Sequence, residues 1–378
     1  MRRVSRIDDS LFAQWWLSID RAGLAILGAI ATIGIIVLMA ASPSVAARIG
    51  GISQFHFPVR QVIFLVPALL VVFTVSLLPP LYARRLGVVV FLGGLGLMAL
   101  ILLVAGEING AKRWLDIGPT LLQPSEFAKP GFVIAAAWML AEGARDPKFP
   151  GGALAMGLYV VFAVLLLLQP DFGQWALVTA VWALMFFIAG WSWLWIAVLG
   201  VAGAGALTAG YYLSDHVAQR IEGFLNPASA ETYQVDRSLE TIANGGLIGR
   251  GDAAPVKGHL PDAHSDFIFA VAGEEFGFIL CAVIILLFAV FVVRAFVIAA
   301  GLRSIFAQCA VSGLAALIGF QAIINIGVSL RALPAKGMTL PFVSYGGSSL
   351  LATALTVGLI FALIREHHGV QRRKDIMP

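Results

Sequence analysis

The chain has 378 residues, 60% of them hydrophobic and only 12% charged, with a mean hydropathy of +0.91. A soluble domain carries roughly a quarter charged residues, so a water-soluble globule is excluded. The net charge of +4 is small and dispersed, which argues against a nucleic-acid partner.

Arg2, Arg3 and Arg6 precede an apolar stretch, 22–42, that is too long for the core of a secretory signal and is followed by further spans. It reads as a first membrane anchor. The paired tryptophans of LFAQWW, 11–16, read as an interfacial anchor ahead of it. Runs close to the ~20 residues needed to cross hydrocarbon as helix then recur to the end of the chain. Ten spans are expected, at about 22–42, 61–79, 86–105, 126–142, 151–169, 172–189, 191–213, 267–293, 304–330 and 345–364. QPDFG near 170 and GWSW near 190 leave room only for tight hairpins or broken helices. The ~10-residue alternating segments of a β-barrel do not occur. The fold class is therefore an all-α polytopic membrane protein, one domain over 1–378. It has an N-terminal segment 1–21, a large loop 214–265 between the seventh and eighth spans, and a tail 365–378.

An even span count puts both termini on one side. Placing them in the cytoplasm puts 14 of the 25 Lys and Arg residues inside, and four of the remainder fall in the single long loop. The excess follows the positive-inside rule. Three polar segments, 106–129, 214–265 and 331–349, then share the outer face, which points to a site there. No period of 20–50 residues, no clear inverted duplication and no GxxxxGK[ST] is present, so nothing reads as a solenoid or an ATPase. Cys281 and Cys309 lie inside apolar runs and form neither a disulfide framework nor a metal-ligand spacing.

PDAHSDFIFAVAGEEFG, 261–277, sets four carboxylates against the start of a span. Asp266 falls in the first helical turn, where a capping acid is stabilised by free N–H groups. A carboxylate at the mouth of a partly apolar cleft is also desolvated, which raises its pKa and makes it a better base. Glu274 lies roughly 12 Å deeper and Glu275 on the opposite helix face, so both read as structural. Lys112 and Arg113 sit beside Trp114. Lys129, three residues past Glu126, shares a helix face with it. Either Glu126 and Lys129 satisfy one another at a span end, or Arg113, Lys129 and Lys336 hold an external phosphate. NGGLIGRG, 244–251, is weak as a nucleotide signature and reads as a tight, mobile turn in an external loop.

NGAKRW (109–114), QPSEFAK (123–129), QPDFGQ (169–174), Tyr233-Gln234 with Ser238, the glycines of 245–251, LPDAHSDFIFA (260–270) and PFVSYGGSS (341–349) occur in one order along nearly the whole chain. In these the sequence resembles the SEDS glycosyltransferases of bacterial cell-wall synthesis. Its NIGVSLRALPAKGMTLPFVSYGGSS and WWLSIDR stretches are most similar to the cell-division branch, less so to the elongation branch. Asp262 and Ser265 stand where that family usually has Glu and Thr, and Asp252 interrupts a more glycine-rich loop.

The resemblance implies the SEDS fold, with both termini cytoplasmic, in the inner membrane at the division septum. It implies polymerisation of lipid II into glycan strands at the outer face, with the essential aspartate at Asp266. Asn109, Lys112, Arg113, Glu126, Lys129, Gln174, His264, Ser265, Lys336 and Ser348 are then the candidate substrate-binding residues. The implied partners are a class B penicillin-binding protein transpeptidase and other divisome membrane proteins. No cofactor is required by the sequence, although a divalent cation, magnesium or manganese, could share the task of stabilising diphosphate. A lipid II flippase and a scaffold for a transpeptidase are the competing readings. A flippase is expected to set its polar groups near the midplane, whereas here they concentrate outside.

Overall fold

The computed structural model describes residues 11–104, 106, 112–118, 121–191, 233–251, 260–334 and 337–374, together with 197, 200, 201, 203–205, 208, 209, 211, 212, 218 and 258. In hydrocarbon every backbone polar group must pair within the chain, so the apolar runs fold as helices. In order these are α1 (Leu11–Ser18), α2 (Arg21–Ile49), α3 (His56–Ser76), α4 (Pro80–Val104), α5 (Pro124–Arg145), α6 (Gly151–Leu168) and α7 (Phe172–Ile188). Beyond them come α8 (Tyr233–Gly245), α9 (Ile268–Ala300), α10 (Ile305–Ser329) and α11 (Gly347–Lys374). A two-residue antiparallel ladder, Leu115↔Leu122 and Asp116↔Leu121, folds the segment between α4 and α5 back on itself.

Seven of the described helices, α2, α3, α4, α6, α9, α10 and α11, are long and apolar enough to span a membrane. The protein is thus a multi-pass membrane protein. α5 and α7 occupy the expected fourth and sixth spans. α5 falls outside the seven through its charges, Glu126, Lys129, Glu142 and Arg145, and α7 is 17 residues long. The expected seventh span, 191–213, and most of the loop after it lie outside the described residues. The turn at QPDFG is a tight hairpin in which Asp171 caps α7, its carboxylate accepting from Gln174 N.

The core lies around α5, α10 and α11. In their most apolar stretches α10 and α11 are 78% and 89% buried, against 28–39% for the other spanning helices, which turn a face to lipid. Close approach comes from missing side chains: a Cβ on Gly131 of α5 would stand 2.6 Å from Phe91 N and 2.7 Å from Gly87 O of α4. Small residues of this kind let membrane helices pack backbone to backbone. At the end of the bundle bearing α1, Trp15 Nε1 donates to Ser76 Oγ at 2.7 Å, and Arg294 forks onto Asp20 at 2.6 and 2.7 Å.

α9 is broken. Gly277 has φ 80° and ψ −177°, about 14 Å along the axis from the first residue of the helix. The N–H groups freed by the break are taken up by the NGGLIG turn, Phe278 N donating to Gly246 O (2.9 Å) and Ile279 N to Leu247 O (3.2 Å). In return Arg250 N donates to Glu274 O (2.8 Å). The glycine-rich segment, expected as a mobile external turn, is instead seated in the helix break. A Cβ on Gly249 would lie 2.2 Å from Glu275 O, so only glycine fits there. Glu274 and Glu275, expected to be structural, are buried beside this junction and each has a partner.

Candidate functional site

The N-termini of α3, α5, α9 and α11 meet at one end of the bundle around a cavity of about 600 Å³. Its walls come from segments far apart in sequence. The first wall is the turn before α9. Ser265 N (3.0 Å) and Phe267 N (3.3 Å) both donate to Asp262 O, and Asp262 itself adopts φ 49°, a left-handed conformation that Asp tolerates. Asp266 thereby precedes the helix start and lines the cavity with Asp262 and Ser265.

Segment 337–349 supplies the second wall, and the two are stitched together. Tyr345 N donates to His264 O (2.9 Å), Ser344 Oγ donates to Ser265 O (2.6 Å), and Asn325 Nδ2 on α10 donates to both Asp266 O (2.8 Å) and Met338 O (2.6 Å). Gly337 faces the Asp266 carboxylate without a side chain; a Cβ there would lie 3.1 Å from Oδ2. His264 lies behind the wall, packed against Phe57 with ring centres 4.2 Å apart and the planes tilted by 38°. Burial pushes its pKa below the usual value; Arg48 adds to this and Asp262 opposes it.

The third wall is 113–126, with Arg113, Trp114, Asp116, Gln123 and Glu126 facing the cavity. Arg113 is tied to the α6–α7 turn: Nε donates to Gln169 O at 2.9 Å, a terminal nitrogen donates to Pro170 O, and Asp171 Oδ1 lies 3.7 Å away. Asp171 is buried. Its pKa is raised by burial, against the pull of Arg113.

Lys129 does not face the cavity. It is 1% exposed and its ammonium donates to Glu126 Oε1 (2.9 Å), Gln174 Oε1 (2.7 Å) and Gln321 Oε1 (3.4 Å). Gln174 Nε2 closes the network on Glu126 Oε1 at 2.6 Å. All three donors of the ammonium are used, and the sequence alternative in which Glu126 and Lys129 satisfy one another is the one observed.

Of the residues expected from sequence, Asp266, Ser265, Arg113, Glu126 and Ser348 converge on the cavity. Lys129 and Gln174 lie beneath it, His264 behind it, and Lys112 is half-buried off its wall. Asn109 and Lys336 lie outside the described residues. Arg60, Trp114, Asp116, Thr339 and Tyr345 line the cavity unforeseen. The signal for Arg60 was present in the sequence: it and Gln61 are a polar pair at the very start of an apolar span.

Among the described residues no three His, Cys, Asp or Glu side chains gather as a metal site. The cavity carboxylates divide two and two, Asp262 and Asp266 on the wall before α9 and Asp116 and Glu126 on the wall at 113–126, and no three of them gather to hold a divalent cation.

A family profile described as a cell cycle protein, FtsW/RodA/SpoVE, matches residues 21–369. The chain belongs to this family. It is 42% identical to the probable peptidoglycan glycosyltransferase FtsW of Caulobacter vibrioides (strain NA1000 / CB15N), across 97% of this chain and 94% of that one. The corresponding FtsW of Escherichia coli O6:H1 is 33% identical, over 91% and 85%. Among solved structures, a chain of a peptidoglycan synthase complex that coordinates polymerization and crosslinking superposes with a TM-score of 0.78. It is 30% identical over 93% of this chain and 99% of that one. The rod shape determining protein RodA of Thermus thermophilus gives 0.70 at 30% identity, over 93% and 98%. The SEDS fold is therefore shared, and the described helices take their place in it.

Proposed function

We propose that the protein polymerises lipid II into peptidoglycan glycan strands, with Asp266 as the general base. One observation carries this reading: the carboxylate of Asp266 stands on the wall of a cavity, opposite a residue with no side chain. The volume suits a sugar-sized ligand, since small-molecule sites run from ~300 to ~1,000 Å³. The names of the similar proteins, peptidoglycan glycosyltransferases, support the same chemistry.

In this mechanism Asp266 takes the proton from the 4-hydroxyl of the acceptor GlcNAc. The oxygen attacks the anomeric carbon of the donor MurNAc, forming the new C–O bond as the bond to the diphosphate breaks. The diphosphate departs with the electron pair on undecaprenyl diphosphate. An α-linked donor gives a β-linked product by single displacement, so one carboxylate suffices where glycosidases, which expel a poorer leaving group, need two. Ser265, Glu126 and Arg113 contact the substrate from the walls, while Lys129 and Gln174 act through Glu126.

With both termini cytoplasmic, the cavity opens at the outer face, where lipid II is presented. The protein works at the division septum beside a class B penicillin-binding protein transpeptidase. The test is polymerisation of labelled lipid II by the purified chain together with that partner. Asp266→Asn should abolish product while leaving the melting temperature in place. Persistence of glycan strands in that variant would sink the mechanism, and translocation of lipid II without any strand would favour a flippase.

A further inference from the structure

The expectation that Arg113 and Lys129 provide the positive charge for a diphosphate does not suit Lys129, whose three ammonium donors are spent on the protein, and Arg113, though it lines the cavity, is tied by two of its N–H groups to the α6–α7 turn. Resting on the reaction above, we propose that the donor's diphosphate is held at the N-terminus of α11, by Arg60, the Ser348 hydroxyl and the first N–H groups of that helix.

Arg60 lines the cavity, is exposed, and has no ion pair or hydrogen bond among the described residues. Its position follows from packing. Phe64 lies one turn further along α3 on the same face, and its ring fills the space beside Gly347, where a Cβ would meet Phe64 Cζ at 2.9 Å. That contact holds α3 against the start of α11, so that Arg60 and the first turn of α11 line the same cavity. The first hydrogen bond into α11 runs from Leu350 N to Gly346 O (2.9 Å), so the N–H groups of Gly347, Ser348 and Ser349 precede the ladder.

Ser348 is the second, independent pointer. Its residue is 9% exposed and lines the cavity, yet its hydroxyl has no partner among the described residues. The neighbouring Ser349, by contrast, shares a 2.5 Å hydrogen bond with Thr339. A cavity-facing hydroxyl with free capacity on a largely buried residue, an uncommitted guanidinium and a helix start together match a phosphate ester, which supplies acceptor oxygens and negative charge. The leaving group gains charge as the glycosidic bond breaks, so groups fixed here stabilise the transition state more than the bound donor.

The test is equilibrium binding to the full chain in nanodiscs, using undecaprenyl diphosphate and, as the uncharged control, undecaprenol. Arg60→Ala should weaken diphosphate binding about tenfold or more, the loss of one charge-assisted contact. Ser348→Ala should weaken it about threefold, and Arg60→Lys should hold an intermediate affinity because the charge remains but the fork is lost. Undecaprenol binding should not change in any of them. Wild-type affinity in both Arg60→Ala and Ser348→Ala, or equal losses for undecaprenol, would overturn the assignment. Ser348→Ala and Arg60→Lys keep the test open should Arg60→Ala fail to fold. Binding alone is read, without glycosyl transfer, so the outcome is separable from the role of Asp266: unchanged diphosphate binding in both Arg60→Ala and Ser348→Ala removes the subsite and leaves the reaction standing.

Discussion

Lys129→Met should cost stability before it costs chemistry. The substitution leaves the Glu126 carboxylate, 5% exposed, with Gln174 Nε2 at 2.6 Å and no counter-charge. At the observed 2.9 Å the pair attracts by about 6 kcal/mol at an effective dielectric constant of ~20. Part of that repays desolvation, and breaking one side of a buried pair typically costs about 3–5 kcal/mol. Glu126→Gln strands the ammonium in the same way. The double variant Lys129→Met/Glu126→Gln removes both charges and should recover most of the loss, giving a coupling of about 2 kcal/mol or more. Denaturation of the four proteins in mixed detergent micelles measures this directly, with substrate binding read in parallel. If the single variants keep wild-type stability and only binding suffers, Lys129 is a ligand group after all and the buried-network argument is refuted.

Other perturbations separate the remaining parts. Gly337→Ala introduces a Cβ 3.1 Å from Asp266 Oδ2 and should slow polymerisation about 10- to 100-fold at unchanged melting temperature; an unaltered rate would show the carboxylate free to move aside. Gly249→Ala combines φ 83° with a Cβ 2.2 Å from Glu275 O, so the turn should leave the α9 break at a cost of about 2 kcal/mol or more, read as a lower melting temperature. His264 gives a pH signature. Its folded pKa is depressed by burial, so between that value and the unfolded ~6.5 the unfolded chain binds more protons and stability rises with pH. Melting temperature should therefore fall as pH drops from about 6.5 through the folded pKa. His264→Phe should remove the part of the slope that belongs to this ring, and an unchanged profile would assign the slope elsewhere.

Span positions were legible because an apolar run of the right length is a local property: nine expected spans coincide with described helices. Asp266, Ser265 and Ser348 were legible because the motifs that carry the family resemblance place them at the ends of two spans. Less visible was anything set by long-range contact. Arg60 reads as an ordinary flanking cation until Phe64 and Gly347 bring α3 onto α11. The commitment of Arg113 to Gln169 and Pro170 depends on a turn some 56 residues away. The break at Gly277 was hidden because one glycine in an apolar run carries no signal without its partner, the turn at 244–249. For the same reason NGGLIGRG looked like a mobile loop: its composition fits both, and only the carbonyls facing Phe278 and Ile279 decide.

That broken helix also imposes an order on biosynthesis. The carbonyls of Gly246 and Leu247 leave the ribosome about thirty residues before the amides of Phe278 and Ile279 that they accept. The acceptor turn is already made when α9 enters the bilayer, and the donors arrive second. The helix can thus partition into lipid with its gap filled at once, and the exposure of two bare amides to hydrocarbon, at several kcal/mol each, is brief.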